Sequence, residues 1–343
     1  MKSIYSKKII IFLTIIIALL MISCSGSCNS RHKDLIYHQD QGSIFATGYN
    51  IKYNHSTSLK TEIEAELERF DLSLNPYRAD AIITKVNNNI DVEVDSFFIN
   101  VIRKSDEISR KTNGYFDITV SPLINAWGFG FKNMDSITPE IIDSLRTFVG
   151  YDKISMDNDG NITKADPRVQ INTSAIAKGY ACDIISDLLE RYGIENYMVE
   201  IGGEVSAKGI NEKGDCWRIG VDKPIDDFLG QHELQTILSL CNKSLATSGN
   251  YRNYYIKDGK KYAHTIDPFT GYPTQTDLLG ATVIADDCMT ADAYATAFMA
   301  MGIEKSLQIA KNIEGMHYYF IFENKDGTFG AIHSNGFEQF LTK

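Results

Sequence analysis

The chain has 343 residues, of which 43% are hydrophobic and 23% are charged, and this is the composition of a globular protein. Its formal net charge of −10 at pH 7 argues against nucleic acid as a partner. At this length the chain can bury the core of one large domain or of two closely packed domains.

The first segment is typical of a secretory leader. Lys2, Lys7 and Lys8 precede an apolar run over 9–22 that is interrupted only by Thr14. A run of 14 residues fits a signal peptide better than a membrane-spanning helix, which needs roughly 20 residues.

The end of this run resembles a bacterial lipoprotein signal, in which a cysteine becomes the lipidated first residue. We therefore predict a signal peptide over 1–23, a lipid anchor at Cys24 and a polar tether over 24–40. A plain N-terminal anchor helix is the alternative. In both cases the chain is expected to be exported and held at a bacterial membrane, on the periplasmic side.

The other cysteines are scattered at positions 28, 182, 216, 241 and 288, and none forms a C-x-x-C pair. This spacing gives no indication of a zinc site. A disulfide framework is not expected in so large a core, although a single bridge remains open.

The first half of the chain is mainly helical in pattern. A strand is predicted near 42–52, and capping residues and apolar periodicity then predict four helices. These helices are 58–70 with Ser58 as cap, 95–114 closed by Gly114, 138–150 with Thr138 as cap, and 174–193 ending at Gly193.

The second half is mainly strand-like, with two helices predicted at 289–300 and 303–312. The predicted strands are 197–201, 216–221, 236–240, 253–257, 280–285 and a final hairpin of 317–322 and 328–333. Because helices cluster early and strands late, the pattern favours an α+β fold over a doubly wound sheet. No G-x-G-x-x-G opens a helix after a strand, so a Rossmann cofactor site is not indicated.

One carboxylate stands out in the stretch CMTADAYATAFMAMG, 288–302. Asp292 and Thr296 share one face of an otherwise apolar helix, where an unpaired charge is costly. In one interpretation Thr290 is the N-cap and Asp292 supports the helix start. In the other, Asp292 and Thr296 belong to a site for a hard cation.

Four other stretches have a structural and a functional interpretation. The aromatic loop 112–130 could stack a flat heterocycle or simply bury its rings. The helix start at 171–183 carries Lys178 and could bind phosphate or only pack closely. Gly202-Gly203 could form a tight turn or allow the close approach of a ligand. In the stretch 245–273, Thr247-Ser248-Gly249 and DPFTG at 267–271 are predicted turns, and His264 between them could be structural or catalytic.

Taken in order, these stretches resemble the FAD:protein FMN transferases, the ApbE-type flavin transferases of bacteria. The resemblance rests on TNGYFDITVSPLINAWGFG, SAIAKGYACD, IGGEVSAKG, ATSGNYRNYY, HTIDPFTGYP and ADAYAT. It implies one domain over 41–343, with mixed, mostly antiparallel sheets flanked by helices. A flavin cleft is expected between two intimate subdomains.

Members of that family bind FAD with Mg²⁺ and transfer its FMN half to a threonine hydroxyl of a partner protein, releasing AMP. Carried over by position, the resemblance implies metal ligands at Asp292, Thr296, Ala175 and Ala295. It implies FAD contacts at Phe45, Tyr115, Phe116, Asp117, Asn172, Lys178 and Ile266. Phe45 stands where the family often has Met, and Asn172 stands where it usually has Asp. His264 is the candidate general base.

The resemblance also implies partners. The expected acceptors are flavoprotein subunits of membrane electron-transport complexes, such as sodium-pumping NADH:quinone oxidoreductases. Two alternatives remain at this stage: an Mg²⁺-dependent hydrolase that converts FAD to FMN and AMP, and a lipoprotein that binds FAD without catalysis.

Overall fold

The computed structural model describes residues 36–130, 137–157, 159–223, 234–250, 254–257, 260–324, 326 and 328–342. The predicted signal peptide, Cys24 and most of the predicted tether lie outside the described residues. The first strand begins at Tyr37, so residues 37–40, predicted as the end of the tether, are part of the sheet. Among the helices in these ranges, none has both the length and the apolar character needed to cross a membrane.

The structure is α+β, as the clustering of helices and strands predicts. The helices are α1 (Lys60–Leu74), α2 (Ile82–Asn87), α3 (Ser96–Lys111), α4 (Ser121–Ala126), α5 (Pro139–Arg146), α6 (Ala177–Arg191), α7 (Cys288–Met301) and α8 (Ile303–Ala310). The strands are β1 (Tyr37–Ile44), β2 (Thr47–Asn54), β3 (Ile154–Met156), β4 (Ile162–Lys164), β5 (Tyr197–Ile201), β6 (Glu204–Lys208), β7 (Trp217–Asp222), β8 (Leu234–Leu240), β9 (Lys243–Gly249), β10 (Tyr254–Lys257), β11 (Lys260–Ala263), β12 (Leu278–Ala285), β13 (His317–Glu323) and β14 (Phe329–His333).

Eight strands form the main sheet, in the order β1-β2-β5-β6-β9-β12-β13-β14. All neighbouring strands in it are antiparallel. Three further antiparallel pairs, β3–β4, β7–β8 and β10–β11, lie outside it. The mostly antiparallel architecture predicted from the sequence is therefore confirmed.

Both faces of the central strands are covered, which explains why β6 and β12 are buried along almost their whole length. One face carries α6 and α7, and α7 is apolar around its whole circumference, as expected for a helix enclosed by protein. The other face packs against a second apolar cluster that includes Trp217 and Leu238 of the β7–β8 hairpin. The sheet is thus the middle layer of three.

Several local predictions hold. Thr138 caps α5 by accepting the N–H of Ile141, and Gly193 closes α6 with φ of +74°. Gly202 and Gly203 form the tight turn between β5 and β6, with φ of +62° and +99° that favour glycine. The DPFTG segment is also a turn, since Gly271 N–H donates to the Asp267 carbonyl at 2.8 Å.

Other local predictions were wrong. Thr247-Ser248-Gly249 is the end of strand β9, paired with β12, and not a turn. The helix predicted over 58–70 with Ser58 as its cap begins at Lys60 instead, and its N-cap is Leu59. The short helices α2 and α4 and the strands β6 and β9 were not foreseen.

The cysteine pattern allowed a single disulfide, and the structure contains one between Cys216 and Cys241. It links the residue before β7 to the residue after β8, so it ties together the two ends of this hairpin. Cys182 and Cys288 are buried free thiols, and Cys28 lies outside the described residues.

Replacing both bridged cysteines, as Cys216→Ser with Cys241→Ser, is expected to lower the free energy of unfolding by about 2–4 kcal/mol. The reason is that the bridge restricts the unfolded chain across a sequence separation of 25 residues. Urea unfolding followed by tryptophan fluorescence measures this difference. A reductant should lower the urea midpoint of the wild type but leave that of the double variant unchanged. Equal wild-type midpoints with and without reductant would show that this disulfide does not stabilise the protein.

Candidate functional site

The site is built where α6 and α7 come into backbone contact. Gly179 of α6 makes this possible, because a Cβ atom at this position would overlap the carbonyl of Cys288 and lie 2.7 Å from the Cβ of Asp292. Any larger residue must therefore push the two helices apart. Sequence reasoning missed this role of Gly179, which lies inside the SAIAKGYACD stretch.

The start of α7 is fixed by two acidic side chains. Asp183, on α6, accepts the N–H groups of Cys288 and Met289, each at 2.8 Å. Asp287 is the N-cap and accepts the N–H of Thr290 at 2.7 Å. The prediction of Thr290 as N-cap was therefore wrong, and α7 is held to α6 through its own exposed amide groups.

Asp292 lies in the second turn of α7 and is only 2% exposed. It does not support the start of its own helix, so that interpretation was also wrong. Its Oδ2 atom instead accepts the N–H of Gly179 at 3.0 Å, in the first turn of α6. Its Oδ1 atom lies 4.0 Å from Nζ of Lys178.

The carbonyl of Ala175 lies just before α6, whose N-cap is Ile176. The N–H of Gly179, the third residue of the helix, has no acceptor within α6 and donates to Asp292. Within the described residues no main-chain N–H donates to the Ala175 carbonyl. That carbonyl oxygen is therefore available to a ligand.

The donor set fits a hard divalent cation. It combines the carboxylate of Asp292, the hydroxyl of Thr296 and the carbonyl of Ala175, and such ions prefer oxygen ligands. The Thr296 hydroxyl lies 3.2 Å from that of Ser248. Ala295 is fully buried within α7 and borders neither of the cavities described below.

No group of three His, Cys, Asp or Glu side chains in the described part of the chain could hold a metal ion. An ion at this site would therefore depend on hydroxyl and main-chain oxygens, and on oxygens that a substrate supplies.

Lys178, which is partly exposed, forms an ion pair with the buried Glu204 of β6, with Nζ and Oε1 2.8 Å apart. Burial on its own would lower the pKa of Lys178, but the carboxylates of Asp292 and Glu204 raise it above its usual value. Burial raises the pKa of Glu204, and Lys178 opposes that rise. Lys178 is therefore charged and placed between two carboxylates.

Two cavities meet beside these residues. The aromatic cavity, about 240 Å³, is lined by Tyr115, Phe116, Asp117, Phe129, Asn172, Ala175 and Ile266, among others. The glycine-lined cavity, about 440 Å³, is lined by Lys178, Gly202, Gly203, Glu204, Gly220, Asp222 and Asp292, among others. Ser174, His264 and Thr296 border both cavities.

The structure brings most of the predicted FAD contacts together. Five of them line the aromatic cavity, namely Tyr115, Phe116, Asp117, Asn172 and Ile266. Lys178 lines the other cavity, and His264 borders both. Phe45 borders neither; it lies in the β1–β2 turn and contacts Phe70 edge-on.

Sequence reasoning missed part of the aromatic wall. Tyr77, which is 66% exposed, stands in this wall with Phe129, Val120 and Ile124. Tyr77 lies in the connection between α1 and α2, and nothing in its local sequence indicates a ligand. Phe129 lies within the aromatic loop 112–130, so that loop does supply part of a platform for a planar ring.

Asn172 organises the turn that precedes α6. Its Oδ1 atom accepts the N–H of Ser174 at 2.9 Å, and its main-chain N–H donates to the carbonyl oxygen of Ile118. A carboxylate could accept the same hydrogen bond, so either Asn or Asp at this position supports the turn next to Ala175.

Asp117 supplies a carboxyl group to the lining of the aromatic cavity. It accepts hydrogen bonds from the N–H and the hydroxyl of Thr119, at 2.7 and 2.6 Å. Burial nevertheless raises its pKa to about 6. Its charge therefore changes within the range of mildly acidic solutions.

Comparison with known proteins agrees with this arrangement. A model of the ApbE family matches residues 45–320. The chain is 36% identical over 313 residues to the FAD:protein FMN transferase of Vibrio cholerae, covering 88% of this chain and 92% of the relative. It is 35% identical over 328 residues to that of Haemophilus influenzae, covering 91% and 93%.

Solved structures give the same result. The flavin transferase ApbE from Vibrio cholerae superposes with a TM-score of 0.80 at 34% identity, covering 90% of this chain and 100% of that one. The apo form of the Pseudomonas stutzeri flavinyl transferase ApbE gives 0.79 at 30% identity, covering 89% and 96%.

Replacing Gly179 by Ala tests the helix contact. The added methyl group has no space, so we expect the variant to lose about 1–3 kcal/mol of unfolding free energy and to bind FAD more weakly. Chemical denaturation and flavin fluorescence titration measure the two effects. Gly48→Ala is the matched control, because the nearest atom to its added Cβ is 3.8 Å away. A Gly179→Ala variant as stable as this control would contradict the close approach.

The raised pKa of Asp117 predicts a pH trend in stability. The folded chain holds this proton with a pKa of about 6 against an ordinary value of 3.8, so the stabilisation is complete below about pH 4 and is lost as pH rises to about 6. The unfolding free energy of the wild type relative to Asp117→Asn should therefore fall across this interval. The unfolding free energy of the wild type relative to Val120→Ala, a variant of the same wall that keeps Asp117, should not change across this interval.

Proposed function

The chain belongs to the ApbE family and is a flavin transferase, and we propose that it moves the FMN half of FAD onto a threonine hydroxyl of a partner flavoprotein. The reaction would depend on Mg²⁺ and release AMP. The observation that carries this proposal is the meeting of two cavities at one set of oxygen donors. The aromatic cavity matches one ring system of FAD, and the oxygen donors at its border match the charged diphosphate to which that ring system is joined.

The aromatic cavity suits one of the two ring systems of FAD. Phe116 is almost fully buried and Tyr115 packs against Phe269, so the walls are fixed apolar and aromatic surfaces. Flat heterocycles bind in such cavities by stacking, while a few polar groups set their orientation. Asp117 and Asn172 supply those polar groups here.

The charges at the junction support the proposed requirement for a metal ion. Asp292 and Glu204 are both buried carboxylates, and Lys178 is shared between them. A diphosphate placed here would be repelled unless a further cation were present. Mg²⁺, held by Asp292, Thr296 and the Ala175 carbonyl, would supply that charge and align the phosphate oxygens.

In the proposed reaction, the threonine oxygen attacks the phosphorus on the FMN side of the diphosphate. The new bond joins this oxygen to phosphorus, the bond from phosphorus to the AMP oxygen breaks, and AMP leaves in line. The hydroxyl proton needs an acceptor. His264 is the candidate, since its side chain borders both cavities next to Thr296.

We further propose that the protein is exported and anchored through a lipid at Cys24. The Cys216–Cys241 bridge supports this location, because disulfides persist in oxidising compartments. The acceptors would then be flavoprotein subunits of membrane electron-transport complexes that face the same side of the membrane.

One assay separates this function from the two alternatives. The purified protein is incubated with FAD, Mg²⁺ and a peptide that carries the acceptor threonine. The release of AMP and the fluorescence attached to the peptide are then followed. AMP with labelled peptide supports the transferase. AMP without label indicates an FAD hydrolase, and FAD binding without AMP indicates a carrier.

Replacing Asp292 by Asn is expected to reduce Mg²⁺-dependent turnover by at least about 100-fold, since even residues that only support metal ligands contribute about 10–100-fold. The amide oxygen can still accept the N–H of Gly179, so the fold should survive. Initial rates of AMP release across a Mg²⁺ titration measure the effect.

The matched control is Asp287→Asn, which alters a carboxylate on the same helix outside both cavities and keeps a good N-cap. It should turn over like the wild type. A folded Asp292→Asn enzyme with wild-type Mg²⁺-dependent rates would rule out the proposed metal site.

A further inference from the structure

The glycine-lined cavity extends beyond the residues that the proposed reaction uses. Its lining includes Lys178, Asp292 and Thr296, and it also includes Gly220, Val221 and Asp222 of β7, which are called the far wall here. Neither the metal site nor the aromatic cavity accounts for that far wall. At about 440 Å³ the cavity is large enough for a second ligand beside a bound dinucleotide's diphosphate.

A buried acceptor atom lies in this cavity without a partner. Glu204 is 4% exposed, and its Oε1 atom pairs with Lys178, but its Oε2 atom has no hydrogen-bond partner among the described residues. An unpaired buried carboxylate oxygen is costly, and such atoms are normally satisfied by a ligand or ordered water. Glu204 therefore points to a bound group that donates a hydrogen bond.

Strand β7 offers a second feature of the same wall. It pairs with β8 and with no other strand in the described part of the chain. Three consecutive residues of β7, 220–222, border the cavity. Since side chains of a strand alternate between its faces, this pattern indicates that β7 presents its edge to the cavity. An open strand edge can bind an extended segment through main-chain hydrogen bonds.

The charge of the cavity selects among possible occupants. Glu204 is a buried carboxylate of this lining with an unpaired oxygen, and Lys178 is already paired with its other oxygen. A phosphate-bearing half of FAD would be repelled there, whereas an uncharged peptide with N–H and hydroxyl donors would be accepted.

From these observations we propose that the glycine-lined cavity binds the threonine-bearing segment of the acceptor protein, extended along the open edge of β7, with Oε2 of Glu204 accepting one of its hydrogen bonds. This inference rests on the proposed function. It places the acceptor hydroxyl beside Thr296 and His264, where the two cavities meet, so the incoming oxygen and the diphosphate approach the junction from different sides.

The first test is photo-crosslinking with the full-length protein. Asp222 is replaced by benzoylphenylalanine, and the probe is the purified acceptor subunit of a sodium-pumping NADH:quinone oxidoreductase without its covalent FMN. We expect crosslinks, mapped by mass spectrometry, to residues next to the acceptor threonine. The control carries the same photo-reactive residue at Ile332, which is exposed on β14 at the end of the sheet.

The second test is kinetic. Glu204→Gln is expected to raise the KM for the acceptor subunit about tenfold beyond any change in the Kd for FAD, because hydrogen bonds to a charged group contribute about 1.5–3 kcal/mol. Glu200→Gln is the matched control. Glu200 precedes the same turn and accepts the N–H of Gly203, but it lines neither cavity.

The outcomes separate the two proposals. If the wild type labels no acceptor, the proposed transferase function fails. If labelling proceeds but crosslinks at Asp222 do not exceed those at Ile332, or Glu204→Gln changes only the Kd for FAD, the acceptor site proposed here is wrong while the transferase function stands.

Discussion

The backbone contact between α6 and α7 at Gly179 is the constraint on which the site depends. Because no side chain separates the helices, the carboxylate of Asp292 reaches across and accepts an N–H of the first turn of α6. That bond satisfies an amide that has no acceptor within its own helix. Asp183 joins the same two helices through the N–H groups of Cys288 and Met289. One packing requirement thus fixes the position of the carboxylate beside the start of α6.

The electrostatics of the site follow from the same arrangement. A buried acid on an apolar helix must be compensated, and Asp292 is compensated in part by an amide and in part by Lys178. Lys178 is also bound to Glu204, so the cluster keeps an excess of negative charge. A site of this kind has low affinity for an anionic substrate by itself and acquires it together with a divalent cation. The metal requirement of the proposed reaction is therefore a property of the protein's own charges as much as of the phosphates.

The sequence predicted the fold class and most long elements, because caps and apolar periodicity are local signals. Thr138 and Gly193 mark helix ends that the structure confirms. Features that depend on a distant partner could not be read in this way. Thr247-Ser248-Gly249 has the composition of a turn but becomes a strand end because β12 pairs with it. The role of Gly179 exists only once α7 lies against it, and Asp292 stabilises a helix other than its own. The residues of the aromatic cavity were largely anticipated through the family resemblance, whereas Tyr77 and Glu204 were found only in the structure.

The order of the main sheet has a consequence for how this protein is made. Strand β2 pairs with β5, so Tyr49 meets Ile201, and β9 pairs with both β6 and β12. Such high contact order means that large loops must close before these pairings stabilise the chain. The junction of the two cavities needs Ser174 from before α6 and Thr296 from α7 at once. A ribosome-bound or truncated chain that ends before α7 lacks both Asp292 and Thr296, so the complete junction can form only after α7 has been synthesised.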